Sequence, residues 1–253
     1  MTIIYEKSDI GPGLIFIKSP RTASGAVNDF FMNIAGKRFP PHLTARNRKH
    51  SRGVLRHHTS RGGVEVFNSG DYKAFTVVRN PYDRFISSLA YYANDVSLGH
   101  HAARGIPKPG AKRFCHLKSF EDMFLSLQPG YDEKLDLELL KILRKNCPGP
   151  PAGSTGDHLT YHLFCEMNSH ITGIRDVQIL RYENLNEDIS NYCSELGFKI
   201  SIDAFKRQEI KNQFGYKKKR KSYPEYYTPE TKEFVYEIFK DDFEIFGYSK
   251  DFK

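Results

Sequence analysis

The sequence predicts an α/β domain built on a parallel sheet, and three stretches carry that prediction. "LIFIK" (14–18), "KAFTVV" (73–78) and "VQILRY" (177–182) are short apolar runs rich in branched and aromatic residues. Two of them run straight through a polar turn into a helix-like segment, and the third leads into a capped helical pattern. That is the order a strand–crossover–strand unit requires. Ligands of such sheets bind beyond the carboxyl ends of the strands, so the turns that follow the strands are where a site is expected.

Taken in order, Leu14 to Lys18 reads as a buried strand. Ser24 is placed as the cap of the next helix, whose apolar face is Ala26, Val27, Phe30, Phe31 and Ile34, with Gly36 ending it. Residues 37–63 are basic, His-rich and weakly periodic, with "LTARNRKH" as a short helix; "VEVF" is short enough for an edge strand or for no element. After the second strand, Asn80 is a natural N-cap and Pro81 suits the first helical position. Phe85, Leu89 and Tyr92 form that helix's core face, with Arg84, Ser87 and Tyr91 on another. Residues 97–114 read as loop, "SFEDMFLSL" as helix, "NCPGPPAGSTG" (146–156) as loop and "DHLTYHLFCEM" as helix. In "NLNEDISNYCSELG", Asn184 is the expected N-cap, Glu187 the third helical residue and Gly197 the terminator. Thr228-Pro229 opens the last helix, which is expected to bury Phe234, Val235, Ile238 and Phe239.

Composition sets the remaining bounds. A chain of 253 residues can bury a sizeable core without disulfides or metals, and no stretch resembles a linker, so one domain over 1–253 is expected. The 19 Phe and 15 Tyr supply much of that core. The net charge of +8 suits an anionic ligand, a polyanion or nucleic acid. Cys115, Cys147, Cys165 and Cys193 contain no C-x-x-C pair, which argues against zinc; Cys165 and Cys193 fall on apolar helical faces and read as buried thiols. "MTIIYEKSDIGPG" lacks a basic stretch followed by a long apolar one, and no run reaches membrane-spanning length. A cytoplasmic protein without a membrane partner is the expectation.

The chemistry concentrates after the first two strands. "SPRTASG" lacks the G-x-x-x-x-G-K-[ST] pattern of a P-loop kinase or nucleotidase. A strand–loop–helix turn nevertheless aims backbone N–H groups and a helix N-terminus at one point, which suits an anion. Arg21 adds a fixed charge, and Thr22 and Ser24 add hydroxyls. An ordinary βα turn with a solvated Arg is the plainer alternative. Arg79 ends the second strand and Ser87 lies two turns into the following helix, where both suit a second anion; pairing of Arg79 with Asp83 is the alternative there. Two anion elements on adjacent βα units point to a nucleotide with two separated phosphate groups.

At these residues the chain resembles the sulfotransferases that use 3′-phosphoadenosine 5′-phosphosulfate (PAPS), closest to the carbohydrate O-sulfotransferase branch. "FIKSPRTASGAV" is similar to that family's 5′-phosphosulfate loop, P-K-T-x-x-T-S. "FTVVRNPYDRFISSLAYY" resembles its 3′-phosphate element, V-R-[ND]-P-x-x-R-x-x-S, at every named position. "HLTARNRK", "ILRYENLNEDI" and "YYTPETKEFVYEIFKDDFEIFGYS" resemble its other blocks. The family's loop lysine is Arg21 here, and its later Thr-Ser is Gly25-Ala26. The resemblance implies a P-loop-NTPase-like single domain with a central parallel sheet flanked by helices. It also implies in-line transfer of a sulfuryl group to an acceptor hydroxyl or amine, with 3′,5′-phosphoadenosine (PAP) as product and no metal.

The site residues implied in this way are Arg21, Thr22, Ala23, Ser24, Gly25 and Ala26 in the first loop, Arg79 and Ser87 for the 3′-phosphate, and Arg181 and Tyr182 near the nucleotide. Arg21 is the cation expected at the bridging oxygen. A histidine is the expected general base because its pKa lies near neutrality. His42, in "PPHLTAR", is favoured, with His57 and His58 as rivals; His158 is a candidate substrate contact. "KKKRKS" (217–222) borders either the nucleotide or the acceptor cleft, or is a solvated basic face. The competing functions are a basic nucleic-acid-binding protein and a small-molecule kinase. The first lacks a recognised binding motif and the second lacks the Walker lysine.

Overall fold

The computed structural model describes residues 2–5, 13–34, 72–97, 134–145, 163–198 and 222–252. The chain divides into two compact units, Met1–Arg79 with Met167–Lys211, and Asn80–Glu166 with Asn212–Lys253.

The first unit is the α/β part. Its strands are β1 (Thr2–Tyr5), β2 (Gly13–Ile17), β3 (Tyr72–Val78) and β4 (Gln178–Arg181), in the spatial order β1-β2-β3-β4. β2, β3 and β4 are parallel, and β1 pairs antiparallel with β2. The three parallel strands are those the apolar runs predict. β1 has no counterpart in the sequence reading: four residues of "TIIY" carry too little periodicity to stand out.

β2 is buried along its whole length, which is why it reads as an unbroken apolar run rather than an alternating one. Leu14 and Phe16 face one cluster with Val27, Phe30 and Phe31 of helix α1 (Ser24–Ile34) and with Ile189, Tyr192 and Cys193 of a further helix, Leu185–Glu195. Ile15 and Ile17 face the other side, with Ala74, Ile171, Ile174 and Val177. The register pairs Phe16 with Phe75, and their rings stack 4.8 Å apart at 7°. Thr76 Oγ1 donates to the Ile17 carbonyl at 2.8 Å, tying the carboxyl ends of β2 and β3 together.

The second unit is helical: α2 (Pro81–Ser97), α3 (Leu137–Lys145), α5 (Pro229–Ile238) and α6 (Lys240–Phe246), with the Leu185–Glu195 helix of the first unit numbered α4. α2 begins as expected, with Pro81 first and the Tyr82 N–H donating to Asn80 Oδ1 at 3.0 Å. No expectation attaches to α3. Phe85 and Leu89 enter an aromatic-rich core with Tyr82, Tyr226, Phe239 and Phe243.

Four local expectations are corrected. Ser24 is the first residue of α1 rather than its cap; Ala23 precedes it and its carbonyl accepts the first helical bond, from Val27 at 3.1 Å. Asn184 occupies the N-cap position of α4, but its side chain makes no capping bond, because the chain enters from a 3₁₀ turn (Tyr182–Asn184) rather than from extended backbone. The helix opened by Thr228 is not the last: it breaks at buried Phe239, and α6 follows until Gly247 at φ 64°. Cys165 lies just past the helical residues Leu163 and Phe164, although it and Cys193 are buried free thiols as expected. Gly36, "VEVF" and "SFEDMFLSL" lie outside the described residues.

Candidate nucleotide site at the strand ends

The loop Lys18–Ala23 leaves β2 and turns directly into α1. Arg21 and Ala23 both sit in the left-handed region, at φ 64° and 61°. Neither is glycine, so each carries a cost of about 1–2 kcal/mol that the rest of the fold must offset. Part of that support is visible. Thr22 is fully buried and its Oγ1 donates to the Ser19 carbonyl at 3.0 Å, closing the turn on itself. The Thr22 hydroxyl proton, read from sequence as available to an anion, is spent inside the loop.

α1 starts at Ser24 and its first intrahelical bond is made by the Val27 N–H. The amides of Ser24, Gly25 and Ala26 therefore have no carbonyl ahead of them within the helix. Together with the aligned helical dipoles, they form the positive end at which anions are bound. Gly25 is exposed, and a Cβ built on it meets nothing within 4 Å, so the space beside this turn is open.

Arg79 follows β3 and joins this loop. Its Nη1 donates to the Arg21 carbonyl oxygen at 3.1 Å. Its guanidinium carbon lies 4.0 Å from the centre of the Tyr182 ring, just beyond β4. Arg79 is only partly buried. The carboxyl ends of three neighbouring parallel strands thus contribute the loop of Arg21, then Arg79, then Tyr182. The Arg181 N–H donates to Asp188 in the first turn of α4, which fixes the end of β4 against that helix.

Lys18 is a residue the sequence reading treats only as the end of a strand. It is half-buried beside the loop, and burial holds its ammonium below the usual lysine range, with Asp29 acting in the opposite sense. The signal available in the sequence was its place directly between a buried strand and the anion loop.

Ser87 and Arg84 belong to the second unit. Both are buried, at 5 % and 0 % exposure, where the helical periodicity had put them on a face away from the core. Arg84 donates from Nη2 to the Cys165 carbonyl at 2.8 Å, lies 3.9 Å from Asp242 Oδ2 and packs 4.7 Å over the Phe239 ring. The two arginines of "RNPYDR" therefore separate: Arg79 ends at the loop, and Arg84 is part of a core. His42, His57, His58, His158 and residues 217–221 of the basic run lie outside the described residues. Among the described residues, no helix is long and apolar enough to cross a membrane, and no cluster of three or more His, Cys, Asp or Glu could hold a metal ion.

No curated protein and no solved structure matches this chain. A family model does: the one described as the sulfotransferase family matches residues 12–249. That span begins at the strand that carries the first loop and runs past the last helix, and by it the chain belongs to the sulfotransferase family.

Proposed function

We propose that the protein transfers the sulfuryl group of PAPS to a hydroxyl or amine of a carbohydrate or small-molecule acceptor, releasing PAP, as a single domain of the carbohydrate O-sulfotransferase kind. The observation that carries the reading is the junction of two cations at neighbouring strand ends, Arg79 donating to the carbonyl of Arg21. A ligand with one phosphate group uses one such element; a 3′,5′-bisphosphorylated nucleoside uses both.

The residues present fit such a ligand. The first-turn amides of Ser24, Gly25 and Ala26, with open space beside Gly25, suit its 5′ end. Arg79 supplies charge for the 3′-phosphate; Ser87, which the sequence pattern assigns to that group, belongs to the second unit. Arg181 and Tyr182 border the nucleotide. When bound, PAPS supplies a sulfuryl group already activated by its phosphate leaving group. Arg21 holds its charge where the leaving oxygen becomes negative, so its effect is greatest in the transition state. His42 takes the acceptor's proton, with His57 and His58 as the competing assignments.

The test is calorimetric titration with PAP and with adenosine 5′-phosphate, followed by an acceptor screen with labelled PAPS. PAP is expected to bind at least tenfold more tightly, on the scale of roughly 1.5–3 kcal/mol for a charged hydrogen bond. Equal affinities remove the two-anion reading. No label transfer to any alcohol, amine or glycan removes the enzyme assignment.

A further inference from the structure

We propose that Arg79 is a positioning residue for the first loop in addition to binding an anion of its own. The inference rests on the sulfotransferase reading, which assigns the 5′ end of the nucleotide to that loop. Arg79 Nη1 reaches back 58 residues to the carbonyl of Arg21, a residue held at φ 64°. The peptide that follows Arg21 is planar and trans, so its carbonyl and the Thr22 N–H point in opposite directions. Holding the carbonyl therefore sets where the Thr22 N–H points. Thr22 is buried and its hydroxyl is tied to the Ser19 carbonyl, so the residue on the far side of that peptide is itself held.

Tyr182 acts one step further out. Its ring supports one face of the Arg79 guanidinium at 4.0 Å, while the edge of the same group bonds the loop. A planar, delocalised cation can do both at once; an ammonium cannot. Strand β4 is thereby linked through Arg79 to the loop after β2. The consequence is that anion binding at the first loop depends on Arg79 even for a ligand that offers Arg79 nothing to bind.

Adenosine 5′-phosphosulfate, which lacks the 3′-phosphate, is that ligand. Its affinity is measured by calorimetry for the parent, Arg79→Ala, Arg79→Lys, Tyr182→Leu and Tyr182→Phe, beside PAP. Arg79→Ala is expected to weaken adenosine 5′-phosphosulfate about tenfold, the scale of one charge-assisted hydrogen bond. Arg79→Lys and Tyr182→Leu are expected to weaken it about threefold, and Tyr182→Phe to restore most of the Tyr182→Leu loss, since the ring is what supports the guanidinium.

If the Arg79 variants and Tyr182→Leu all stay within about twofold of the parent for this ligand while PAP is weakened, Arg79 serves only its own anion. In that case the clamp is wrong and the sulfotransferase reading stands. If the parent binds neither ligand, that reading falls, and amide exchange over residues 19–26 decides the clamp alone. Faster exchange in Arg79→Lys and Tyr182→Leu supports it, and unchanged exchange overturns it. Should Arg79→Ala not fold, these two variants carry the whole test.

Discussion

Neutralising Asp242 with Asn probes the buried pair that fixes Arg84. Arg84 and Asp242 are both fully buried, with Nη2 and Oδ2 3.9 Å apart. At an effective dielectric near 20, two unit charges at 3.9 Å attract by about 4 kcal/mol. Asp242→Asn keeps the shape and removes that attraction, while Arg84 retains the Cys165 carbonyl and the Phe239 face. One change runs the other way. Burial, and then Asp242 and Asp241, push the Glu166 carboxyl above its usual range, so losing the Asp242 charge relieves Glu166. The net expectation is a loss of about 3 kcal/mol, at the lower end for breaking a buried pair. Urea unfolding followed by circular dichroism reads it as a lower midpoint at constant slope. The double variant Arg84→Met with Asp242→Leu should return close to the parent, because both charges leave together. A loss below about 1 kcal/mol for Asp242→Asn at unchanged slope would refute the claim that this pair holds Arg84 in place.

Three further outcomes test the site and the core. Arg21→Ala should lower turnover more than nucleotide affinity, and Arg21→Lys should retain substantial activity; steady-state kinetics with KM raised and kcat unchanged in Arg21→Ala would remove Arg21 from the chemical step. His42→Ala should lose about 10²–10⁴ in turnover on an acceptor of high pKa with nucleotide affinity unchanged, and a dead His58→Ala beside a near-normal His42→Ala would reverse the assignment. Burial pushes the Cys193 thiol up to about 11 from an ordinary 9.0. Between those values the unfolded chain has released the proton and the folded chain has not, so stability falls as pH rises, by up to about 3 kcal/mol. Cys193→Ala should flatten that alkaline slope in denaturant titrations at pH 8.5 and 10.5; an unchanged slope would place its cause elsewhere.

Local rules carried much of the fold. β2 and most of β3 are continuous apolar runs because both their faces are covered, and Asn80-Pro81 starts α2 through chemistry contained in two residues. Long-range packing decides what the sequence reading missed. β1 is a strand because β2 offers it an edge. Arg84 looks solvent-facing by charge, yet Asp242, far along the chain, makes its burial tolerable. The α5–α6 break falls at Phe239, whose aromatic character argues for a core helix and says nothing of a bend. At the candidate site, Arg21 and Arg79 were legible as strand-end cations. Their bond to one another and the support from Tyr182 follow from the sheet order, which periodicity alone does not specify.

The strand order also bears on truncation. Residues 13–34 contain the whole first loop and its helix, but a peptide of that length has neither the strand that follows at Tyr72 nor the one at Gln178. Two left-handed, non-glycine residues lose support in such a fragment: the Thr22–Ser19 bond is kept, but the bond from Arg79 to the Arg21 carbonyl is gone. The arrangement of the first loop is thus a property of the completed sheet. Because a ligand that binds only the folded form shifts the whole unfolding equilibrium, its affinity doubles as a measure of how much of any shortened or split chain has reached the native arrangement.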